Sequence, residues 1–406
     1  MKPSLSLPAY PSELEDWWWN QALQKWPECG EEKILNLIRK EVIRQSDRFN
    51  KTRSFDPQSY GARDLSLLTY GNFFFPRTWN AMTMSMAEAF SYRGWNKPKK
   101  GPIRVLDIGS GSGASGLSVL YFLKKFNVPN PVTLDAWDYS GKSLAFLKNI
   151  HSKNSQLWPQ TKLTTKRTDL RDPKQKDSKQ SYDLILAGYS LNEISQCSEL
   201  EECIHRIESI ADLLSPNGFM IITEPADKNT CMSLQSVAAA VSTNSKKLYN
   251  HAPYFNGLQC PLNKNASHYY SHEVRKTRTT QRVERINQPL RLETHQVKFG
   301  MVMLGTKQPQ PQPKDFSVCR IVSPVSKKKG TISFIGIAGD GLEYRYEIQR
   351  RILNPDQIKI LTKLERGDIL NVDTGEIGTD KNRIRIPSFT SISWPFSPRW
   401  DIREYN

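Results

Sequence analysis

Asp107 is followed by three glycines at two-residue spacing, in a stretch whose residue types suit a small charged ligand. The segment Arg104–Gly116 reads Arg-Val-Leu-Asp-Ile-Gly-Ser-Gly-Ser-Gly-Ala-Ser-Gly, and these glycines are Gly109, Gly111 and Gly113. Glycine lets the backbone turn tightly and approach a ligand where a Cβ would clash. An apolar run precedes the glycines and a helical pattern follows them, so the N–H groups that open the helix would face the ligand. The sequence predicts a strand, a glycine loop and a helix.

Two classes of ligand fit this glycine loop. The spacing of Gly109, Gly111 and Ala114 matches the dinucleotide fingerprint, which expects an acidic residue about 20 residues further on. The acid that ends the next predicted strand is Asp138, which comes 29 residues after Gly109. Asp107 also suits a ligand that carries an amino group and a sulfonium. A nicotinamide cofactor is therefore the weaker of these two interpretations, and a glycine turn without any ligand is the third.

The pattern Asp-x-Gly-x-Gly-x-Gly, with an acid at the end of the second strand, resembles the S-adenosylmethionine site of Rossmann-like methyltransferases. The resemblance implies S-adenosyl-L-methionine as the cofactor. It also implies an acid near the adenine at the end of the third strand, where this chain has Asp169; a plain surface turn is the alternative there. The residues that we expect to contact the cofactor are Asp107, Gly109, Gly111, Gly113, Asp138 and Asp169.

A second loop should face the reacting methyl group. Tyr182–Ala187 is apolar enough to be a central strand of a parallel sheet, and the loop after it reads Gly-Tyr-Ser-Leu-Asn-Glu-Ile. Open α/β sheets bind their ligands at the carboxyl ends of the strands. The loop lacks the Asn/Asp-Pro-Pro-Tyr element of base-amine methyltransferases, so its candidate catalytic residues are Asn192 and Glu193. Capping of the helix predicted over Glu199–Leu214 is the alternative role for both.

These motifs require a doubly wound sheet to position them. We interpret residues 100–305 as an α/β domain with a Rossmann-like class I methyltransferase sheet. Residues 1–99 read as an N-terminal helical region, in which Asp64–Met86 is a helix, a break at Pro76 and a second helix that caps the cofactor-binding face. The strands expected in the domain are Ile103–Ile108, Val132–Asp138, Lys162–Thr168, Tyr182–Ala187, Phe219–Thr223 and Gln296–Gly305.

The rest of the chain follows a linker that prolines stiffen, residues 306–314. Segments with alternating or β-branched residues predict a small antiparallel β module over residues 315–406. A basic hairpin ending at Gly330 separates the first two segments, and the pattern predicts no structure for the tail from Asn371. The expected strands of the module are Phe316–Val325, Thr331–Ile337 and Tyr344–Ile348.

The chain has a net charge of +16, and residues 271–330 alone contribute +9. A local excess of this kind, which begins within a basic insertion at about residues 250–295, indicates a polyanion such as RNA or DNA. A basic surface that only aids solubility is the alternative. Lysines of the hairpin would contact phosphates and position RNA without reading its sequence. The candidate RNA-binding residues are Arg275, Lys276, Arg278, Lys327, Lys328 and Lys329.

Several short motifs follow one another in the order found in a known family: Tyr70–Trp79, Tyr189–Glu193, Ala252–Leu262 and Arg320–Gly330. On these motifs the chain, from about residue 64 to 368, resembles the small-ribosomal-subunit methyltransferase-like proteins of bacteria and the related mitochondrial small-subunit assembly factors. The resemblance implies an S-adenosylmethionine-dependent methyltransferase that acts on the small ribosomal subunit or its rRNA during assembly or translation. A non-catalytic RNA-binding assembly factor with the same fold is the alternative, and a methyltransferase for a protein or small molecule is the third.

The chain departs from this family at its cysteines. Members with an iron–sulfur cluster use four cysteines, since thiolates are its usual ligands. One thiolate cannot hold a cluster, so we expect neither an iron–sulfur cluster nor another metal. The residues at the four corresponding positions here are Tyr254, Cys260, Ser267 and one near Ile337. A zinc site is the alternative, and its ligands would be Cys260, His268 and His272, with His251 as the fourth.

Composition also bears on the compartment of the protein and on membrane insertion. The 406-residue chain has no run of about eighteen apolar residues and opens with neither a secretory nor an amphipathic presequence. We therefore expect a cytoplasmic protein that is not inserted in a membrane, and we expect it to be a monomer. Its six cysteines are scattered without a C-x-x-C pair, which argues against a disulfide framework.

Overall fold

The structure, a computed structural model, describes residues 4–47, 61, 63–170, 181–192, 199–244, 247–263, 269–373, 376–377 and 382–401. Glu193, Ser267 and His268 lie outside these ranges. Within them, no helix combines the length and the apolar character that crossing a bilayer requires.

A central sheet forms where the sequence alternates apolar runs with helical patterns. Most of its strands are buried on both faces, as parallel strands covered by helices should be. The strands up to residue 305 are β1 (Ser6–Leu7), β2 (Ile103–Ile108), β3 (Val132–Asp138), β4 (Thr161–Arg167), β5 (Tyr182–Gly188), β6 (Leu214–Pro225), β7 (Tyr249–Ala252), β8 (Glu273–Lys276) and β9 (Gln296–Gly305).

The order of strands in this sheet is β4-β3-β2-β5-β6-β9-β7, and β8 also pairs with β9. The pairs from β4 to β6 are parallel, whereas β9 runs antiparallel to β6, β7 and β8. Strand order reverses at β2, so the connections after β2 and β5 leave the carboxyl edge in opposite directions and open a crevice there. The predicted α/β class is confirmed, and the candidate ligand residues lie along this edge.

Helices cover both faces of the sheet, and one of them lies inside the protein. The helix α4 (Phe75–Ser91) is buried along almost its whole length and contacts α5 (Ala114–Lys125) as well as β6 and β9. It therefore forms part of the core rather than of the surface. The helices up to residue 305 are α1 (Ser12–Lys25), α2 (Glu31–Asp47), α3 (Asp64–Thr69), α4 (Phe75–Ser91), α5 (Ala114–Lys125), α6 (Gly141–Lys153), α7 (Leu200–Ala211), α8 (Lys228–Asn244) and α9 (Gln281–Asn287).

A π-helical turn, Tyr70–Phe74, joins α3 to α4, so the predicted break at Pro76 is wrong. Pro76 fits in the first turn of α4, where a backbone N–H would have no partner within the helix. The turn also brings Gly71 against α1, because a Cβ on Gly71 would lie 2.1 Å from the indole ring of Trp18. The continuous α3–α4 segment thus provides the surface on which α1 packs.

The C-terminal module is a second sheet, in the order β15-β16-β13-β12-β10-β14-β17, with β11 paired to β12. It is mixed rather than purely antiparallel, because β16 runs parallel to β13. The tail forms strands, and β18 pairs with β1 near the start of the chain. The elements of this part are β10 (Val318–Ile321), β11 (Ser326–Lys327), β12 (Thr331–Ala338), β13 (Glu343–Gln349), α10 (Pro355–Leu361), β14 (Ile369–Val372), β15 (Glu376–Ile377), β16 (Arg383–Ile386), β17 (Ile392–Phe396) and β18 (Arg399–Trp400).

A buried ion-pair cluster joins the module to the rest of the protein. Arg320 of β10 donates to Glu88 of α4 at 2.7 and 3.0 Å, and to Glu273 of β8 at 2.8 Å. Arg93 donates to the same Glu88 at 2.8 Å. These side chains are almost completely inaccessible to solvent. One cluster therefore connects the N-terminal region, the central sheet and the C-terminal module.

Glu88 stays ionised in this cluster. Burial raises its pKa, but the charges of Arg320 and Arg93 outweigh burial and hold the pKa at about 2. Since this pKa is lower than that of an unfolded chain, the stabilisation is present above the ordinary carboxyl range and is lost as the pH falls toward about 2. The cluster is thus fully formed at neutral pH.

We predict that Arg320→Met lowers the free energy of unfolding by about 3–5 kcal/mol, because Glu88 and Glu273 then lose a buried partner. Urea unfolding followed by fluorescence measures the loss. The control is Lys247→Met, which removes an ion pair with Asp212 whose side chains are 80% and 55% exposed. That change should have an effect below about 1 kcal/mol. Equal effects of the two substitutions would contradict a structural role for the cluster.

Candidate functional site

The first part of the site is the end of β2, where Asp107 is buried beneath the glycine loop. Its Oδ2 accepts a hydrogen bond from the backbone N–H of Gly116, in the first turn of α5, at 2.8 Å. Its Oδ1 is also buried, and no group in the described part of the chain donates a hydrogen bond to it. Such an oxygen costs free energy unless a ligand donates to it. Asp107 therefore has the acceptor that a cationic or hydrogen-bond-donating ligand needs.

Asp138, at the end of β3, holds the glycine loop from the other side. Its Oδ2 accepts from the N–H of Gly111 at 2.8 Å, and its Oδ1 accepts from the N–H of Ser140 at 2.7 Å. The two bonds tie the glycine loop to the start of α6. Each carboxylate oxygen can accept a second bond, so Asp138 keeps acceptor capacity for the hydroxyl groups of a ligand.

The pKa values of both carboxyl groups are raised because the groups are buried. Burial raises the pKa of Asp107 to about 7 despite the bond from Gly116, and the nearby Asp138 adds to the rise. Burial also raises the pKa of Asp138 to about 6, against its two backbone bonds. A bound cation would lower both pKa values. The pair therefore favours a cationic ligand at neutral pH and should bind it more weakly in acid.

The glycine loop needs glycine for both backbone and steric reasons. Gly109, Gly111 and Gly113 have φ angles of 63°, 52° and 92°, in the region that side chains disfavour. A Cβ on Gly109 would lie 2.4 Å from the Cβ of Ser190, and a Cβ on Gly113 would lie 2.3 Å from Cδ1 of Leu147. Side chains at these two positions would push apart the elements that form the crevice.

Buried hydroxyl groups line the same loop. The Oγ atoms of Ser110 and Ser112 are inaccessible to solvent, and neither has a hydrogen-bond partner among the described residues. Together with Oδ1 of Asp107 they form a polar set that the protein leaves unsatisfied. These residues fit S-adenosylmethionine, because they offer an acid for a cationic group, a second acid for ribose hydroxyls, and a backbone that a ligand can approach.

Asp169 follows the end of β4, the strand next to β3. The N–H of Thr168 donates to the carbonyl oxygen of Asp138 at 2.9 Å, so Asp169 directly follows a residue that is bound to Asp138. Asp169 is half-buried. Its contact with the adenine stays a prediction.

The loop after β5 meets the glycine loop directly. Oγ of Ser190 donates to the carbonyl oxygen of Ile108 at 2.9 Å. The neighbouring Tyr189 has a φ of 58°, and its N–H donates to the carbonyl oxygen of Thr223 at 2.8 Å. Positive φ at a residue other than glycine is strained, and such strain clusters at functional sites. The loop is therefore held in an unfavourable conformation beside the candidate donor site.

Glu224, at the end of β6, fixes this loop, and the sequence did not single it out for that role. Its Oε1 accepts from the N–H groups of Leu191 and Asn192 at 3.0 and 3.1 Å, and the residue is 1% exposed. An acid at the end of a strand, on the edge where ligands bind, was the available signal. Glu224 positions the loop that carries Asn192.

Of the two candidate catalytic residues, the structure describes only Asn192. Oδ1 of Asn192 is buried at the crevice with no hydrogen-bond partner among the described residues. The N-cap of α7 is Glu199, which makes no side-chain cap bond, so the capping interpretation of Asn192 is wrong. Glu193 lies outside the described residues.

Tyr189 can donate a hydrogen bond at this edge but cannot serve as a base. Burial raises the pKa of its phenol far above the ordinary value, although the charge of Arg77 opposes the rise. The phenol therefore keeps its proton at neutral pH. Methyl transfer from a sulfonium needs an aligned acceptor more than it needs a base, because the leaving group is already activated.

The N-terminal region contacts two of the elements at the crevice. Oγ of Ser140, which follows the donor-site acid, donates to the carbonyl oxygen of Gly61 at 2.9 Å. Met82 of α4 reaches the end of β5, since a Cβ on Gly188 would lie 3.7 Å from its Cε. Capping of the cofactor-binding face by Asp64–Met86 stays a prediction.

The candidate RNA-binding residues divide into a buried group and an exposed group. Arg275 is completely buried and pairs with Asp368 and Glu273, so its prediction as an RNA contact is wrong. Its charge is neutralised inside the protein. Lys276 and Arg278 are exposed, and so are the three lysines of the hairpin, Lys327, Lys328 and Lys329. For these five residues RNA binding stays a prediction.

Other basic residues within residues 271–330 also form ion pairs inside the protein. Arg282 and Arg285 of α9 pair with Glu31 at 3.2 and 2.6 Å. The guanidinium of Arg282 also lies 4.7 Å from the centre of the Trp19 ring, as a cation–π contact. The local charge excess therefore overstates the basic surface that is free to meet a polyanion.

The proposed alternative zinc ligands do not assemble in the described part of the chain. Nowhere in that part do three or more potential metal-binding side chains come together. Nε2 of His251 is 2.7 Å from the carbonyl oxygen of Lys307, and Nδ1 of His272 is 3.1 Å from that of Tyr270. These two histidines form hydrogen bonds to the backbone, and His268 lies outside the described residues.

Two of the residues compared with the family's cysteines nevertheless meet Ile337, which lies near a third of those positions, in space. Tyr254, Cys260 and Ile337 belong to one buried apolar cluster, which also contains Leu262 and Val322. Burial raises the pKa of the Cys260 thiol, so the cysteine is neutral there. The cluster packs the irregular segment after β7 against β12 of the C-terminal module.

No protein-family model and no curated protein matches the chain. Among solved structures it is similar to TrmN from Thermus thermophilus, at 15% identity and a TM-score of 0.31, over 57% of this chain and 52% of that one. It is also similar to the arsenic(III) S-adenosylmethionine methyltransferase CrArsM of Chlamydomonas reinhardtii, at 12% identity and a TM-score of 0.30, over 63% and 81% of the two chains. A third similar structure is PKMT2 of Rickettsia typhi in complex with AdoHcy, at 13% identity and a TM-score of 0.32, over 63% of this chain and 62% of that one.

Strand order identifies the fold independently of these distant matches. The parallel strands have the order β4-β3-β2-β5-β6, and the antiparallel strand β9 lies between β6 and β7. This order is that of the class I Rossmann-like methyltransferase fold. The glycine loop after β2 and the acid at the end of β3 occupy the ligand edge of that fold.

We predict that Asp107→Asn weakens binding of S-adenosylmethionine about 10- to 100-fold, because a charged acceptor is lost while the shape is kept. Calorimetric titration measures the affinity. The folded pKa of Asp107, about 7, exceeds its ordinary 3.8, so this group destabilises the ligand-free wild type as the pH rises between those values. The variant should lose that part of the pH dependence and should unfold at no lower temperature at neutral pH. Unchanged affinity would contradict the site.

Proposed function

We propose that this protein is an S-adenosylmethionine-dependent methyltransferase. The observation that carries the proposal is the buried carboxyl of Asp107, with an unsatisfied Oδ1 next to a loop of three glycines with positive φ. A buried acid with one unsatisfied oxygen is unfavourable in the ligand-free protein, so the arrangement is best explained by a ligand that supplies the missing donor or charge.

The residues around the crevice have separate tasks in this function. Bound S-adenosylmethionine supplies an activated methyl group. Asp107 and Asp138 bind and orient the donor, while the glycines allow close approach. Glu224 fixes the loop with Asn192 through the backbone N–H of that residue, and the side-chain amide of Asn192 would orient an acceptor. The N-terminal region excludes water, which favours an aligned reaction over hydrolysis.

For the acceptor, we propose the small ribosomal subunit or its rRNA. The resemblance of residues 64–368 to the small-subunit methyltransferase-like proteins supports this choice. The net charge of +16 and the exposed Lys276, Arg278 and hairpin lysines support a polyanionic partner. Phosphate contacts by these residues would position the RNA, and the crevice would select the acceptor atom.

A second candidate function is a ribosome assembly factor that binds RNA and S-adenosylmethionine but transfers no methyl group. The loop after β5 lacks the Asn/Asp-Pro-Pro-Tyr element, and this absence from the sequence favours the candidate. Both candidates require donor binding, so transfer of the methyl group separates them.

The test is a tritiated-methyl assay on small subunits and their assembly intermediates, isolated from cells that lack the protein. Wild type should label the rRNA, and Asp107→Asn should label it more slowly at a donor concentration near the wild-type Kd. If neither protein labels the subunits although wild type binds S-adenosylmethionine, the result would contradict the methyltransferase and favour the assembly factor. Labelling of ribosomal protein alone would overturn the rRNA acceptor.

We predict that changing Lys327, Lys328 and Lys329 to glutamate weakens RNA binding and flattens its salt dependence. Every phosphate that the hairpin no longer neutralises should reduce the slope of log affinity against log salt by about 0.7–0.9. Fluorescence anisotropy at several salt concentrations measures the slope. The residues are exposed, so the variant should unfold at the wild-type midpoint. An unaltered slope would exclude the hairpin from the RNA surface.

A further inference from the structure

Two aromatic side chains, Tyr270 and His272, form a pair beside the ligand edge of the central sheet. The pair precedes β8 and lies on the far side of β5 and β6 from the glycine loop. The two rings are stacked, with centroids 4.2 Å apart and an angle of 27° between their planes. Both residues are half-buried, so part of each side chain meets solvent. A stacked pair of this kind presents apolar surface to a planar ligand.

Hydrogen bonds to the backbone hold this pair in place. Oη of Tyr270 donates to the carbonyl oxygen of Ala226, two residues after Glu224, at 2.9 Å. Nδ1 of His272 lies 3.1 Å from the carbonyl oxygen of Tyr270. The guanidinium of Arg366 donates to the carbonyl oxygens of both aromatic residues. The rings are therefore preorganised, and a ligand that stacks on them would have little side-chain motion to freeze.

The register of the sheet places the pair close to the loop after β5. Strand β9 pairs Gly300 with Glu224 of β6, and Glu224 is the acid that fixes this loop. Strand β8 pairs Glu273 with Phe299, so His272, one residue earlier, comes opposite Gly300. Neighbouring strands are about 4.8 Å apart, so the backbones of His272 and Glu224 are separated by roughly 10 Å. Stacked nucleotides follow one another at about 3.4 Å, so a few nucleotides of one strand would span this distance.

An exposed lysine, Lys298, lies on the same face of the sheet as His272. It pairs with Val274, two residues after His272, so the lysine and the imidazole are diagonal neighbours. Burial lowers the pKa of His272 to about 4, and the charges of Arg366 and Lys298 add to the fall. The imidazole is therefore neutral at neutral pH, and Lys298 supplies a positive charge beside it.

The charges that border this face are mixed. Lys228 and Lys276 are exposed, like Lys298. Asp227 is half-buried and accepts a hydrogen bond from the first turn of α8 at 3.0 Å. Glu365 is also half-buried and accepts from the backbone N–H of Lys276 at 3.3 Å. The surface is thus only slightly basic, and the stacked rings rather than the charges distinguish it.

We propose that the pair of Tyr270 and His272 stacks an unpaired base of the RNA substrate, a few nucleotides from the acceptor, while Lys298 contacts a phosphate of the same strand. The proposal rests on the RNA acceptor of the proposed function and adds that the acceptor lies in a single-stranded segment. Stacking on aromatic side chains suits any base, because every base has a π-face. Bases inside a helix stack on one another, so the pair favours a loop, a bulge or an end of the RNA.

The experiment compares three double variants. The test variant, Tyr270→Leu with His272→Leu, removes both rings and keeps apolar side chains. The first control, Tyr270→Phe with His272→Phe, keeps both rings and loses the bond to Ala226. The second control, Phe389→Leu with Trp394→Leu, removes another half-buried aromatic pair, whose centroids are 5.7 Å apart in the C-terminal module.

The probe is a fluorescein-labelled single-stranded RNA, and the competitor is the same RNA annealed to its complement. Anisotropy is measured at several salt concentrations, and each variant is titrated with S-adenosylmethionine by calorimetry. The same measurements on Lys298→Gln test the phosphate contact. If the test variant fails to bind S-adenosylmethionine, the single variant His272→Leu takes its place and is judged by the same criteria.

The test variant should bind the single strand about tenfold more weakly, because stacking of a base on an aromatic side chain is lost. Its salt slope should equal that of wild type, since no charge at neutral pH is changed. Both controls should bind within about twofold of wild type, because neither removes the stacked rings. Lys298→Gln should reduce the salt slope by about 0.7, the value for one phosphate of a single strand. Affinity for S-adenosylmethionine should be unchanged throughout.

Four outcomes would overturn the proposal. Wild-type affinity in the test variant would remove the rings from the RNA surface. An equal loss in the test variant and in either control would mean that stacking on this pair is not the contact. Stronger binding of the duplex than of the single strand would exclude unpaired RNA as the preferred ligand. Failure of wild type to bind RNA while it binds S-adenosylmethionine would remove the RNA partner but leave the donor site intact, so the two proposals fail separately.

Discussion

Glu88 is a buried carboxylate between two guanidinium groups, and the arrangement of the three parts of the protein depends on it. Its oxygens accept hydrogen bonds from Arg93 in the N-terminal region and from Arg320 in the C-terminal module. Arg320 also reaches Glu273 of the central sheet. Removal of any one of these charges would leave the others desolvated and unbalanced, at a cost of several kcal/mol. The cluster therefore fixes the relative position of the elements that it joins.

The helix that carries Glu88 connects this cluster to the candidate site. Glu88 lies near the end of α4, and Met82, in the middle of the same helix, contacts the end of β5. The C-terminal module thus holds a helix that also lies close to the end of β5. The acids at the glycine loop differ from Glu88. Asp107 and Asp138 are buried without a positively charged partner among the described residues, and burial raises their pKa values, whereas the pKa of Glu88 is lowered. The ion-pair cluster therefore stabilises the protein around the site, while the buried acids of the site reduce its stability in the absence of a ligand. Such a loss of stability is common at functional sites.

Local patterns predicted the strands and the glycine loop of the candidate site, and long-range partners explain the errors. The strands Ile103–Ile108 and Val132–Asp138 have the predicted bounds, because hydrophobic periodicity and glycine turns act over a few residues. Arg275 and Arg320 were counted as part of a basic surface, but their partners are distant in sequence and composition does not reveal them. The parallel pairing of β16 with β13 depends on a similarly distant contact, which is why the tail had no predicted structure. Glu224 was visible only as an acid at a strand end, since its role depends on the loop that it binds.

The central claim is that the crevice after β2 binds S-adenosylmethionine. Calorimetric titration of ligand-free wild-type protein with S-adenosylmethionine, and separately with nicotinamide dinucleotides, tests it most directly. We predict one S-adenosylmethionine bound per chain, no binding of the dinucleotides, and an affinity that rises with pH as Asp107 and Asp138 ionise. Binding of a dinucleotide in place of S-adenosylmethionine, or binding of neither, would contradict the account.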